Sequence, residues 1–183
     1  MQEKEKAISF LYGMTKNINN PTRLRNIFEE STLFFSKTEN KIFFMISLVA
    51  YLLSKVIQKP RFKRKLDVII SKSSKYLGEA IKFASEKKFD LASNSLNEII
   101  KVIRGIDEKD SRYVFDVEEK GKTKIASILY AKGFSLETAV LMTGAQIGDV
   151  LNYSGRTKFA DRFGRTISGG ERLRIARKLI KKK

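Results

Sequence analysis

Residues 42–57 read IFFMISLVAYLLSKVI, the most apolar stretch of the chain, interrupted only by Ser47, Ser54 and Lys55. A bilayer-spanning helix needs about 20 apolar residues, and this stretch is only 16 residues long with those three included. A fully buried core helix accounts for it, with other helices packed around it. The basic cluster that follows it is the one feature that fits a membrane-flanking segment. Upstream, Asn19-Asn20-Pro21 marks a break and a helix start, with Asn20 as N-cap and Pro21 at the first helical position. That helix is expected to run to about Phe35 and to offer Leu24, Ile27, Phe28 and Phe34 for burial. Residues 3–17 form a short amphipathic helix before it, with Ile8, Leu11, Tyr12 and Phe10 inward. Downstream, Pro60 ends the core helix and opens the next. Residues 61–86 carry Phe62, Leu66, Ile69, Ile70, Leu77, Ile81 and Ala84 at helical spacing, with Lys63, Arg64, Lys72 and Lys75 opposite. Residues 90–104 follow, with Asp90 as N-cap and a stripe of Leu96, Ile99, Ile100 and Ile103. The two read as an antiparallel hairpin. Gly105 and the polar stretch to Ser111 close this part of the chain.

Composition agrees with a helical reading. The chain has 183 residues, with 2 Pro and 11 Gly, and its hydrophobic fraction of 42% is enough to bury a core. The expected fold class is all-α: a multi-helix N-terminal bundle over 1–108, then a nucleic-acid-binding domain over 109–183. There is no His, Cys or Trp. That excludes a thiolate nucleophile, a Ser-His-Asp triad, a disulfide and a Cys/His zinc site. Carboxylates still permit magnesium or calcium. No cofactor or resident metal is expected. Residues 1–6, MQEKEK, have no apolar run behind them, so no signal peptide is read and a cytoplasmic location is expected. Abundant Lys and Ile with no Cys is also the composition of a heat-adapted microbe or an archaeon.

Charge is the second strong signal. With 37 Lys+Arg and 20 Asp+Glu, the net charge is +17. Residues 1–54 carry +2 and residues 76–155 carry −1, whereas 55–75 carry +7 and 156–183 carry +9. A solubilising surface is usually mixed in sign. Two one-signed tracts look instead like an electrostatic footprint for a polyanion, either nucleic-acid phosphates or an anionic membrane.

The C-terminal third changes character. A helix over 112–132 turns Ile125, Ile128 and Leu129 inward and stops at Gly133. Ser135 caps a short helix that ends at Gly144, and another short helix follows over 146–153. The run KIASILYAKGFSLETAVLMTGAQIGDVLNYSG, Lys124 to Gly155, resembles a helix-turn-helix DNA-binding unit. Gly144 falls at the turn, the small Ala139 and Val140 precede it, Val150 lies six residues after it, and Tyr153 closes the packing. The resemblance implies that Gln146, Gly148, Asp149 and Asn152 face outward from the recognition helix. Gln146 and Asn152 then stand where adenine edges are read. The departure from that family's pattern is the charge: the helix has no Arg or Lys, and Asp149 carries the wrong sign for phosphate.

Beyond it lie two Gly-Arg-Thr triplets, 155–157 and 164–166, suited to backbone-phosphate contact. Phe159 and Phe163 are spaced to anchor together. The string ISGGERLRIAR, 167–177, is similar to the signature loop of ABC-type and SMC-type ATPases. That loop works with a Walker A phosphate loop, and no G-x-x-x-x-G-K-[ST] occurs in the chain. Ser168 and Glu171 instead fit a capping box that starts a last, basic amphipathic helix over 169–183.

The candidate nucleic-acid-binding residues are therefore Gln146, Asn152, Arg156, Thr157, Lys158, Arg162, Arg165, Arg172, Arg174, Arg177, Lys178 and Lys181, together with Arg61, Lys63, Arg64 and Lys65. The expected function is duplex-DNA binding by a helix-turn-helix transcriptional regulator or chromatin-associated factor, as a homodimer because duplex half-sites repeat symmetrically. The alternatives are an RNA- or ribosome-associated basic protein and a peripheral membrane protein using the last helix. No catalytic role is expected: no nucleophile–base pair is visible, and Asp116, Glu118 and Glu119 read as the first turn of a helix.

Overall fold

The computed structural model describes residues 2–106 and 111–156, with backbone alone for Ile106, Ser111, Arg112 and Arg156. The protein is all-α. Among the described residues there are eight α-helices and one 3-10 turn, and no strand. The helices are α1 (Gln2–Lys16), α2 (Pro21–Thr38), α3 (Lys41–Val56), α4 (Leu66–Ser85), α5 (Phe89–Ile106), α6 (Ser111–Ala131), α7 (Leu136–Thr143) and α8 (Ile147–Arg156); the 3-10 turn is Pro60–Lys65. The chain divides into two compact units, and the boundary falls inside α6 between Ile125 and Ala126.

The first unit is built around α3. Nearly every residue from Ile42 to Val56 is buried, with Phe44 and Lys55 partly exposed. No single helix among the described residues is long and apolar enough to cross a membrane. Asn40 accepts a hydrogen bond from Ile42 N–H and starts α3; Asn20 does the same for α2 through Arg23 N–H, with Pro21 in the first turn. Helices α2 and α5 pack on α3, and α1 packs on α4. Where α2 meets α3, the hydroxyls of Ser31 and Ser47 lie 2.8 Å apart in the core, and each also bonds a carbonyl of its own helix. Two small polar side chains thereby let the helices approach, and each of the two hydroxyls is satisfied. Phe10, Phe34 and Phe43 meet edge-on beside them, with the Phe34 and Phe43 centroids 4.5 Å apart.

Five details differ from the sequence-based expectation. Tyr12 is 58% exposed, and Ala7 and Met14 take its place on the inner face of α1. Phe35 is the deeply buried phenylalanine of α2, while Phe34 is only partly covered. Residues 60–65 form a 3-10 turn rather than the first turn of α4: of the six, only Phe62 is buried, so packing holds the turn at a single point. Glu118, expected in a first turn, sits inside α6 and is buried; it accepts from Arg104 Nε of α5 at 3.0 Å and pairs with Lys122 at 3.2 Å. Asp90 likewise lies within the first turn of α5, where an acid complements the helix dipole without being the cap.

The second unit contains the end of α6, then α7 and α8. Gly133 takes a φ of 103° and ends α6. The Ser135 hydroxyl accepts from Thr138 N–H at 3.0 Å and starts α7. Gly144, with a φ of 68°, ends α7 in the left-handed conformation, and its N–H bonds the Val140 carbonyl. Ile128, Leu129, Ala139, Thr143, Ala145 and Val150 are buried.

Candidate nucleic-acid interface

The second unit presents two short helices, α7 and α8, packed together across the turn Gly144-Ala145-Gln146. A left-handed residue reverses the chain after only eight helical residues, and glycine adopts that conformation without strain. The Thr143 hydroxyl fixes the turn from inside, bonding the Ala139 carbonyl at 2.7 Å and accepting from Ala145 N–H at 3.4 Å. Ala139 and Val150, the small and the branched residue of the pattern, are fully buried. Gln146, Gly148, Asp149 and Asn152 are all exposed, which makes one outward surface on α8. That surface also carries the half-exposed Ile147 and Leu151, and Leu141 of α7 is 86% exposed. From Ile147 to Gly155 it has no cation.

Of the predicted site residues in the C-terminal tract, Arg156 is the last residue of α8. Thr157, Lys158, Arg162, Arg165, Arg172, Arg174, Arg177, Lys178 and Lys181 lie outside the described residues, as do the Phe159–Phe163 pair and the Ser168–Glu171 capping box. The other tract is in view. Arg61, Lys63, Arg64 and Lys65 all stand exposed on the 3-10 turn of the first unit. Arg61 lies over the ring of Tyr113, 5.1 Å from its centroid, and Lys59 lies 5.4 Å from the same ring. Phe62 packs beneath, its ring 5.9 Å from that of Tyr113. The aromatic pair ties the basic turn to α6 and holds two cations by their attraction to the ring face.

Folding brings further cations to this corner, and of these Arg25, Lys120 and Lys124 come from blocks that linear charge counting finds nearly neutral. Lys55 and Lys124 both sit on Tyr51, at 5.6 and 5.0 Å from its centroid. Arg25 of α2 reaches across to donate to Gln58 at 2.6 Å. Burial first, and then the charges of Arg25, Lys59 and Lys120, hold the Lys55 ammonium below its ordinary value of 10.5. The chain thus gathers cations from α2, from the end of α3, from the 3-10 turn and from α6. The opposite behaviour appears elsewhere in the first unit. Lys75, Lys88 and Lys101 each pair with a glutamate of their own neighbourhood. Burial works against the charge on Lys122, but hydrogen bonds and charges from Glu119 and Glu118 outweigh it and hold that ammonium above the ordinary lysine value.

Lys120 and Lys124 are four apart within α6 and share a helical side, whereas Lys59 lies beyond the end of α3. The spacing in α6 was legible, but residues 76–155 are neutral as a block and concealed that pair. No cluster of three or more carboxylates suited to a metal ion occurs among the described residues. Compared with protein-family models, with curated proteins and with solved structures, the chain matches none, so its functional reading rests on its own residues.

Proposed function

We propose that this chain binds nucleic acid, with duplex DNA as its target, and serves as a helix-turn-helix transcriptional regulator or chromatin-associated factor. The observation that carries this reading is the α7–α8 corner: a left-handed Gly144 between a buried Ala139 and a buried Val150, with Gln146 and Asn152 outward. The exposed face of α8 has amide side chains able to pair with adenine and no cation to hold a phosphate. Affinity on this reading comes from the basic residues at Arg156 and beyond and from Arg61, Lys63, Arg64 and Lys65, and sequence preference is modest.

Competition binding tests this. A labelled duplex should be retained by the full chain in the presence of excess structured RNA. The double substitution Arg156→Ala and Lys158→Ala should weaken binding and reduce the slope of log affinity against log salt by about 2, near 0.9 for each phosphate no longer neutralised. Tighter binding to structured RNA would move the reading to an RNA- or ribosome-associated protein. An unchanged slope would remove Arg156 and Lys158 from the interface.

A further inference from the structure

Four cations of the first unit stand together without a counter-charge. Arg25, Lys55, Lys59 and Lys120 come from three different parts of the chain: Arg25 bonds Gln58 beside Lys59, and Lys120 precedes Gly121, which lies against the Tyr51 ring under Lys55. None of the four makes an ion pair with a carboxylate among the described residues. Their neighbours Arg61 and Lys124 are held over Tyr113 and Tyr51. Part of the arrangement has a structural cause: Lys55 lies in the last turn of α3, where a cation complements the helix dipole. That account does not reach Arg25 in the first half of α2 or Lys120 within α6. In the same unit Lys122, Arg104, Lys75, Lys88 and Lys101 each have a glutamate partner. At this corner the like charges repel, and the fold tolerates it.

We propose that Arg25, Lys55, Lys59 and Lys120 form a phosphodiester-binding surface on the first unit, continuous with the basic 3-10 turn through Lys59 and Arg61 and sharing no residue with the α7–α8 corner. A chain of phosphates supplies the missing counter-charge at several points at once, whereas a single small anion would meet only part of the patch. Burial is the larger cause of the lowered Lys55 value, and the repulsion from Arg25, Lys59 and Lys120 that adds to it is relieved by such a ligand. Tyr51 is only 5% exposed and Tyr113 is partly covered, so the rings position cations rather than stack on bases. The surface therefore holds backbone and reads no sequence. This inference rests on the nucleic-acid reading above and adds a second point of grip to it.

The test uses the full chain and two probes of equal length, a DNA duplex and an RNA hairpin. Three proteins are compared by the salt dependence of binding: wild type, a patch variant (R25Q, K55Q, K59Q, K120Q) and an equal-charge control (K75Q, K82Q, K88Q, K101Q). The patch variant should lower the slope on the bound polymer by about 3 to 4, near 0.9 for each phosphate neutralised on duplex DNA, with the control unchanged. If the patch variant fails to fold by circular dichroism, the exposed pair K59Q and K120Q alone should lower the slope by about 2. Wild-type binding with the same slope in the patch variant overturns the surface and leaves the general reading intact. A patch-sensitive slope on RNA alone upholds the surface and overturns the choice of DNA. Wild-type binding to neither probe overturns both.

Discussion

At the scale of single residues, two glycines of the first unit make opposite demands. A Cβ on Gly121 of α6 would meet Leu48 Cδ1 at 2.9 Å and Tyr51 Cδ1 at 3.0 Å, both on the core helix. A Cβ on Gly78 of α4 would meet nothing within 4 Å. Gly121→Ala should therefore destabilise the unit by about 1–3 kcal/mol through overpacking, and Gly78→Ala should stabilise it by about 0.5–1 kcal/mol by lowering the entropy of the unfolded chain. Urea midpoints of the two variants against wild type check both signs. Gly121 also underlies the cationic corner, because the close approach it permits brings Lys120 and Lys124 to the end of α3. Lys55 offers a pH test. Its folded ammonium is held below 10.5, so at lower pH its charge costs stability, and the cost is relieved as pH rises through the folded value toward 10.5. Wild type should gain stability relative to Lys55→Gln over that window, measured by denaturation at stepped pH. Lys122 runs the other way. Its raised value means that its contribution is complete below 10.5 and is lost above it.

At the scale of elements, legibility followed the strength of the local signal. The caps at Asn20 and Ser135, the stops at Gly133 and Gly144, and the apolar run of α3 are each stated by a few adjacent residues, and each stands in the structure where the sequence places it. Burial on α1 and α2 was less legible. Tyr12 and Met14 both fit a helical stripe, and only the neighbours α2 to α4 decide that Met14 goes in. Glu118 was misread because nothing near it in sequence announces Arg104, its partner on another helix. The α7–α8 corner yields its own prediction. Gly144→Ala must place a Cβ at a φ of 68°, which costs about 1–2 kcal/mol. Amide exchange in α7 and α8 should accelerate by about 5–30-fold, the ratio that such an energy sets. Unchanged protection there would show that the turn tolerates a side chain.

At the scale of the whole molecule, the all-α class was legible because few Pro and Gly, helical apolar spacing and strong caps all agreed. The candidate site was legible only as tracts. The 55–75 tract is contiguous, and charge counting finds it together with Lys55 and Lys59; Arg25 and Lys120 join them from distant positions, and counting along the chain averages those two away. Glu79, Glu86 and Glu98 pair with lysines on and between α4 and α5, and the corner at the end of α3, with Arg25, Lys55, Lys59 and Lys120, has no such carboxylate partner among the described residues, a contrast that on the proposed reading polarises the first unit. A body polarised in this way does not tumble indifferently as it nears a polyanion. The field turns the corner forward before contact, so encounters become productive more often in dilute electrolyte, and added ions within about 10 Å of the surface at 0.1 M erase the preference. The positions of a few glutamates would then govern how quickly a partner is found, apart from how tightly it is kept.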